Sequence, residues 1–421
     1  MTVIATNKVN FTKALEPTSI SVKKSDVEQA HQTLENTPLP TTRVEAWKYT
    51  RLTKIDKVDF QNIPAAITTI APYKIVDSAC TFVFVNGHFS TELSSREVPT
   101  GVTIELLSEI KEDLAPSTLK LEGEIFNATN TAHLTDGLRI NITAKTVVET
   151  PIQIIHILKG DHVISNFKTI VKAEKFSKSS IVQGFFAESG DANFCNNVTE
   201  ISVEDNAFLT IDKIQYESEQ SFHINTEEVQ QDKNSNFTIN TFTLNGGIVR
   251  NNLHVNVNGQ NCVTNLNGVY LLKNKQHVDN HSIVDHKVPN CESFELYKGV
   301  IDDNSTAVFN GKVFVRKDAQ KINAFQSNGN VLLSDNATIN SKPELEIYAD
   351  DVKCSHGSTT GQLDEEAVFY LRARGLSEKS ARHLMVSAFI GEVLEKVENE
   401  EVLEFIHAIL KERFDFSIDN G

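Results

Sequence analysis

Long hydrophobic runs are missing from this chain of 421 residues. No stretch of about 18 apolar residues is available to span a bilayer, and Met1–Leu15 carries Lys8 and Lys13 but no apolar core of a signal sequence. The expectation is a soluble, unsecreted, cytoplasmic protein with no membrane partner. Cysteine is scarce and poorly spaced for bridges. Cys80, Cys195, Cys262, Cys291 and Cys354 form an odd set without a Cys-x-x-Cys, which argues against a disulfide framework and against a self-contained zinc or cluster site, and fits a reducing cytosol. Positive charge is in deficit: 40 Lys and Arg stand against 56 Asp and Glu, a formal net charge of −16. A phosphate backbone is gripped by clustered cations, so nucleic acid is not an expected partner. Three catalytic signatures are also lacking: Gly-x-x-x-x-Gly-Lys-Ser/Thr, a Gly-x-Gly-x-x-Gly after a strand, and Gly-x-Ser-x-Gly. Nucleotide chemistry, if it occurs, belongs to another protein.

What is present falls into three parts. A prior of about 150 residues per domain gives two or three units. Residues 1–137 read as a helical and mixed region. Ser25–Leu34 predicts a helix that stops before Pro38 and Pro40, which lack an amide and clash with the preceding turn. The segment 42–50 holds the only tryptophan, Trp47, read as a packing anchor. Thr81–Val85, followed by Asn86-Gly87, reads as a strand, and Ile104–Leu114 reads as one more helical stretch.

Residues 138–360 read as a mainly β core. From Leu138 to Ala349 short strands alternate with Asn, Asp and Gly, and similar phrases start at Asp205, Lys233, Gln260, Asp303 and Asp335. Spacings this irregular do not suit a propeller but suit the coils of a β-helix with loop insertions. Asparagine tolerates the left-handed backbone at coil corners and can bond to the neighbouring turn. A long β-sandwich is the rival architecture.

Residues 361–421 switch to helical period. Asp364 is placed to cap a helix through Arg374, Gly375 ends it, and Ser377 is placed to cap a longer helix from Glu378 to Val397. Leu384, Met385, Phe389, Val393 and Leu394 lie on that second helix, on a surface wide enough both to pack on the body and to meet a partner. A last helix runs from Glu400 to Arg413.

Two places collect metal-ligand types. His277, Asp279 and His281 share one face of a strand while His286 lies on the other, which fits either a metal box or, the preferred reading, a polar ladder face. Cys291, alone in a strand region, reads as a small buried hydrophobe. Cys195 and Cys262 are expected to be replaceable by Ala or Ser. Cys354 and His356, one residue apart on an extended backbone, point the same way and can address one ligand together. Two groups do not close a site, so others must come from elsewhere.

The ordered motifs His281–His286, Pro289–Ser293, Lys298–Val300, Phe309–Val313, Ala324–Gly329, Lys342–Ile347, Cys354–Thr359 and Leu371–Ser377 resemble the SufB/SufD family of iron-sulfur cluster assembly proteins. The likeness covers about 205–397. Glu45–Thr50 is similar to an N-terminal motif of the SufD branch. The position aligned with a sulfur-receiving cysteine of SufB is here Ile347, which cannot be persulfurated, and this too looks like SufD. The resemblance implies a right-handed parallel β-helix core flanked by N-terminal and C-terminal helical regions, and a non-catalytic scaffold role in a SufBCD complex of the SUF system. It implies pairing with SufB, docking of the SufC ATPase by the tail (Leu384, Met385, Phe389, Val393, Leu394), and a transient cluster shared with SufB, with His356 and Cys354 as candidate ligands. No stably bound cofactor is expected in the isolated chain. The alternatives are a β-helix polysaccharide lyase or hydrolase, and a stand-alone homodimeric SufD-type protein.

Overall fold

Each repeat is one coil of a parallel β-solenoid, and each coil gives one strand to each of two sheets. The computed structural model describes residues 9–188 and 192–414; Lys8 and the ends of the expected terminal regions, 1–8 and 415–421, lie outside the described residues. The first sheet runs Cys80–Val85, Ile152–Leu158, Lys178–Ala187, Phe208–Tyr216, Asn236–Asn245, Val263–Leu272, Glu292–Ile301, Ile322–Leu332 and Val352–Gln362. The second runs Val102–Leu106, Asp136–Ile142, Ile164–Ala173, Phe194–Val203, Phe222–Gln231, Ile248–Val257, His277–His286 and Thr306–Val315, and ends in the split pair Thr338–Ser341 and Glu344–Ile347. From Asp136 onward the pairings within both sheets are parallel. The β-helix reading therefore holds over the sandwich.

The corners explain the irregular phrases. Asn206, Asn234, Asn261 and Asn290 stack at one corner with φ between 58° and 64°, the left-handed region asparagine tolerates best after glycine. Their amides form a ladder: Asn234 Nδ2 donates to Asn206 Oδ1 at 3.0 Å, 28 residues earlier, and Asn261 Nδ2 donates to Asn234 Oδ1 at 3.0 Å, 27 residues earlier. The phrases at Asp205, Lys233 and Gln260 open strands of the first sheet, whereas those at Asp303 and Asp335 open strands of the second. The uneven spacing comes from two corners, not from loop insertions.

Both outer faces are covered, so many strands are buried on both sides instead of alternating. Much of the N-terminal region lies on the second sheet, where Phe11, Trp47, Phe60 and Phe126 pack with Phe194, Phe222 and Ile248, while Ile67, Tyr73, Ile75 and Val76 pack on the first sheet beside Val182 and Phe186. It is less helical than its composition predicts: α1 (Lys24–Asn36) is the expected helix, but 37–79 is largely irregular with short 3-10 turns. Val102–Leu106 is a strand, not a helix. Its Ile104 and Leu106 pair with Ile140 and Leu138, and the helix-like spacing arises because Leu107, Ile110 and Leu114 fold into a separate apolar cluster. α2 (Ile125–Ala132) escapes sequence reading because half of its fully buried face is Asn and Thr.

On the first sheet lie α3 (Glu365–Ala373), α4 (Glu378–Leu394) and α5 (Glu400–Phe414). Asp364 caps α3 by accepting from the Glu366 and Ala367 amides, Gly375 (φ 99°) ends it, and Ser377 caps α4. Val386, Ile390, Val393, Leu394, Val402 and Ile406 pack against Phe186, Phe242, Leu271 and Val300 of the sheet. No described helix is long and apolar enough to cross a membrane.

Candidate functional site

The C-terminal end of the first sheet is open. Val352–Gln362 pairs with Ile322–Leu332 on one side, its other edge has no strand among the described residues, and from Ser355 to Gln362 every residue is exposed. Such an edge presents a row of unpaired backbone donors and acceptors. Cys354 and His356 stack on Ala324 and Gln326 of the preceding coil. The strand alternation puts the pair on one side, as the sequence predicts. Cys354 is half-buried against the solenoid interior and burial pushes its thiol above the ordinary value, while His356 is exposed. Among the described residues neither belongs to any group of three metal-ligand side chains, so within this chain they remain a pair.

Beneath His356 runs a polar column that motif reading missed. Gln326 Nε2 donates to Glu295 Oε2 at 2.9 Å, and Glu295 accepts from Ser282 on its other oxygen. Burial pushes the Glu295 carboxyl up to about 7 even against these two hydrogen bonds. The signal for this column is the coil repeat itself, since Glu295, Gln326 and His356 are register partners in successive coils. Beside it, Ser358 donates to Ser341 at 2.7 Å and Ser341 to Asn328 at 2.8 Å, which seats the open end on buried polar groups. Ile347 ends the neighbouring edge strand and is partly exposed.

The histidine-rich strand resolves into a polar face. Asp279 accepts from Arg250 Nη1 at 2.6 Å and from Thr50 on the same oxygen, and His281 Nε2 lies 2.9 Å from the other. Burial alone would raise the Asp279 carboxyl, but Arg250 and His281 hold it well below the usual carboxylate range. The guanidinium and the hydroxyl occupy the carboxylate where a cation would have to bind. Arg250 also stacks 3.8 Å from the centre of the Trp47 ring and donates to Ala46 O at 2.7 Å. Trp47 is thus the packing anchor expected, and the Glu45–Thr50 motif is the strap that closes this face. His286 points the other way, into the interior, where its Nε2 meets Ser293 Oγ at 3.0 Å and burial lowers its pKa to about 4. All five cysteines are unbridged, and Cys291 is fully buried.

The five tail residues divide. Val393 and Leu394 are buried against the sheet, which corrects the expectation that they face a partner: the apolar outer face of the solenoid claims them first. Met385 and Phe389 are partly buried in the same cluster. Lys298 fixes this part of α4, donating to Phe389 O at 2.8 Å and pairing with Glu392 at 2.6 Å, with its ammonium 4.7 Å from the Phe389 ring centre. Leu384 is 49% exposed, and it has two neighbours in character on α3 that sequence reading passed over, Phe369 at 70% and Tyr370 at 58%. Their signal was an aromatic pair on a short helix that buries only Val368.

Comparison with known proteins adds a family to this geometry. Residues 156–389 match the model described as SUF system FeS cluster assembly, SufBD core domain, and residues 10–154 match the SufBD protein N-terminal region. The chain is similar to an iron-sulfur cluster assembly SufBD family protein of Synechocystis, 34% identical over 85% of this chain and 84% of that protein. It is similar to iron-sulfur cluster assembly protein SufD of Escherichia coli, 28% identical over 93% of each. A third relative, the Arabidopsis thaliana protein named ABCI7, chloroplastic, is 31% identical over 88% of this chain and 82% of its own length.

Proposed function

The chain belongs to the SufB/SufD family of SUF-system iron-sulfur cluster assembly proteins and is SufD-like, and from that premise we propose that it is a non-catalytic scaffold subunit that pairs with SufB through its open sheet edge. The observation that carries this reading is the strand Val352–Gln362, which offers an unpaired edge and an incomplete ligand pair in the same place. An edge of this kind is completed by a strand from another chain, whose main-chain groups supply affinity while side chains at alternate positions supply specificity. A thiolate and an imidazole are competent iron ligands, and a partner's side chains would complete the shell around a nascent cluster, which is cargo and not a resident cofactor. His356, exposed on the last coil, is the principal ligand; Cys354 joins it by releasing its thiol proton to solvent as the iron–sulfur bond forms. ATP hydrolysis belongs to SufC, which docks on the outward face of α3 and α4 formed by Phe369, Tyr370 and Leu384. That surface replaces the inward-facing Val393 and Leu394 as the docking patch.

The test is the iron and acid-labile sulfide content of the anaerobically purified complex co-expressed with SufB and SufC. His356→Ala is expected to lower both several-fold while the complex stays assembled. Unchanged content in an assembled complex would move the chemistry onto SufB and leave this chain a structural partner.

A further inference from the structure

A second set of metal-ligand side chains lies deep inside the solenoid. Among the described residues, Cys195, Glu217 and His223 are the group of three whose ligand atoms all lie within 4.8 Å of one another, and all three are buried. The coil geometry brings them together. Cys195 and His223 are register partners on adjacent strands of the second sheet, and Glu217 enters from the corner after Phe208–Tyr216. The His223 ring is held edge-on by Phe185 at 4.6 Å between centres, and Phe185 also packs with Cys195 and Leu158.

The carboxylate is the unusual member. Glu217 Oε2 lies 2.7 Å from His223 Nδ1, but its Oε1 is fully buried with no hydrogen-bond partner among the described residues. A buried carboxylate oxygen without a donor is unfavourable unless a cation meets it. Burial, reinforced by Glu217, keeps the Cys195 thiol protonated in the absence of a cation.

We propose that Cys195, Glu217 and His223 bind one borderline divalent transition-metal ion, Zn²⁺ or Fe²⁺, as a resident structural site distinct from the cluster cargo at His356. One thiolate, one carboxylate and one neutral imidazole sum with M²⁺ to zero charge, the state that a dry interior tolerates best. The mix of sulfur, nitrogen and oxygen suits zinc and iron and disfavours calcium or magnesium, which take oxygen alone. Loading releases one proton, from Cys195 Sγ, as the metal–sulfur bond forms. Ligation through Nδ1 moves the His223 ring hydrogen to Nε2, which lies 3.5 Å from the side-chain amide of Gln215. Three protein ligands leave a fourth tetrahedral position for a water. The expectation that Cys195 is dispensable gives way here to a liganding role.

The inference does not depend on the assembly role, and its test uses the isolated, tag-free full chain. The chain is produced in media supplemented with Zn²⁺ or Co²⁺, or with Fe²⁺ anaerobically, so that the site loads during folding, and is then washed with a chelator. The expected result is about one ion per chain, with a thiolate-to-cobalt charge-transfer band in the cobalt protein. Cys195→Ser should abolish the band, and Glu217→Gln should lower the metal content at least several-fold. Cys354→Ala and His356→Ala should leave band and content unchanged. A folded wild-type chain free of metal under all three supplies overturns the proposal, as does a band that survives Cys195→Ser or disappears in Cys354→Ala. Should Cys195→Ser not fold, the wild-type and Cys354→Ala spectra still decide, and the loading arm with the higher retention identifies the metal.

Discussion

Glu295 sits in the solenoid interior with Ser282 and Gln326 on its oxygens and its carboxyl pushed up to about 7 by burial. The value in an unfolded chain is about 4.3, so the native state binds this proton more tightly. Its contribution to stability is complete below about 4.3 and is lost as pH rises through about 7. Glu295→Gln is therefore expected to flatten the pH dependence: between pH 5 and 8 the wild type should lose about 2–3 kcal/mol more than the variant in urea unfolding. An equal slope in both proteins would mean that Glu295 titrates like an exposed carboxylate. At this scale the sequence was half legible. Strand alternation separated His277, Asp279 and His281 from His286, but the partners that decide their role, Arg250 with Ala46 and Thr50 with Asp279, are 204 and 229 residues apart in the chain. No local pattern encodes contacts of that range.

Among the elements, the asparagine corner is the most regular device. Asn234 (φ 58°) donates to one neighbour of the ladder and accepts from the other. Asn234→Gly keeps the left-handed backbone and should cost about 1 kcal/mol for the lost hydrogen bonds, whereas Asn234→Ala adds backbone strain and should cost about 2–3 kcal/mol; urea midpoints of the two variants rank the terms. The helical tail gives a second prediction. Phe369→Glu with Tyr370→Glu and Leu384→Glu should abolish capture of SufC with the thermal midpoint of the isolated chain within about 2 °C of wild type. Val393→Asp, which buries a charge, should unfold the tail instead. Capture that survives the triple substitution would place the docking surface elsewhere. Helix caps were readable because Asp364, Gly375 and Ser377 act on adjacent amides. Ile104–Leu114 is not the helix its spacing predicts because the end of a strand followed by a leucine-rich turn shares that spacing, and α2 escapes the pattern because half of its buried face is polar.

Among the described residues the longest strand with an unpaired edge is Val352–Gln362. Gly357 and Gly361 lie on it, neither has a positive φ, and a Cβ added at either meets nothing within 4 Å. Gly357→Lys with Gly361→Lys should therefore leave the isolated chain folded and block edge pairing by charge. Size-exclusion with mass measurement should show the wild type joined to SufB and the variant monomeric in the same mixture. Wild-type chains that pair only with themselves would favour a stand-alone homodimer instead.

The two coverings of the solenoid also differ in when they are made. The N-terminal covering precedes the sheet it protects, but α4 and α5 follow the sheet on which they lie. A ribosome that has finished the strand ending at Leu332 must still make the chain through Phe414, roughly 4–16 s of synthesis. Throughout that interval Phe242, Leu271 and Val300 face solvent or a chaperone, and a message truncated before α4 would leave a protein that is wound but sticky.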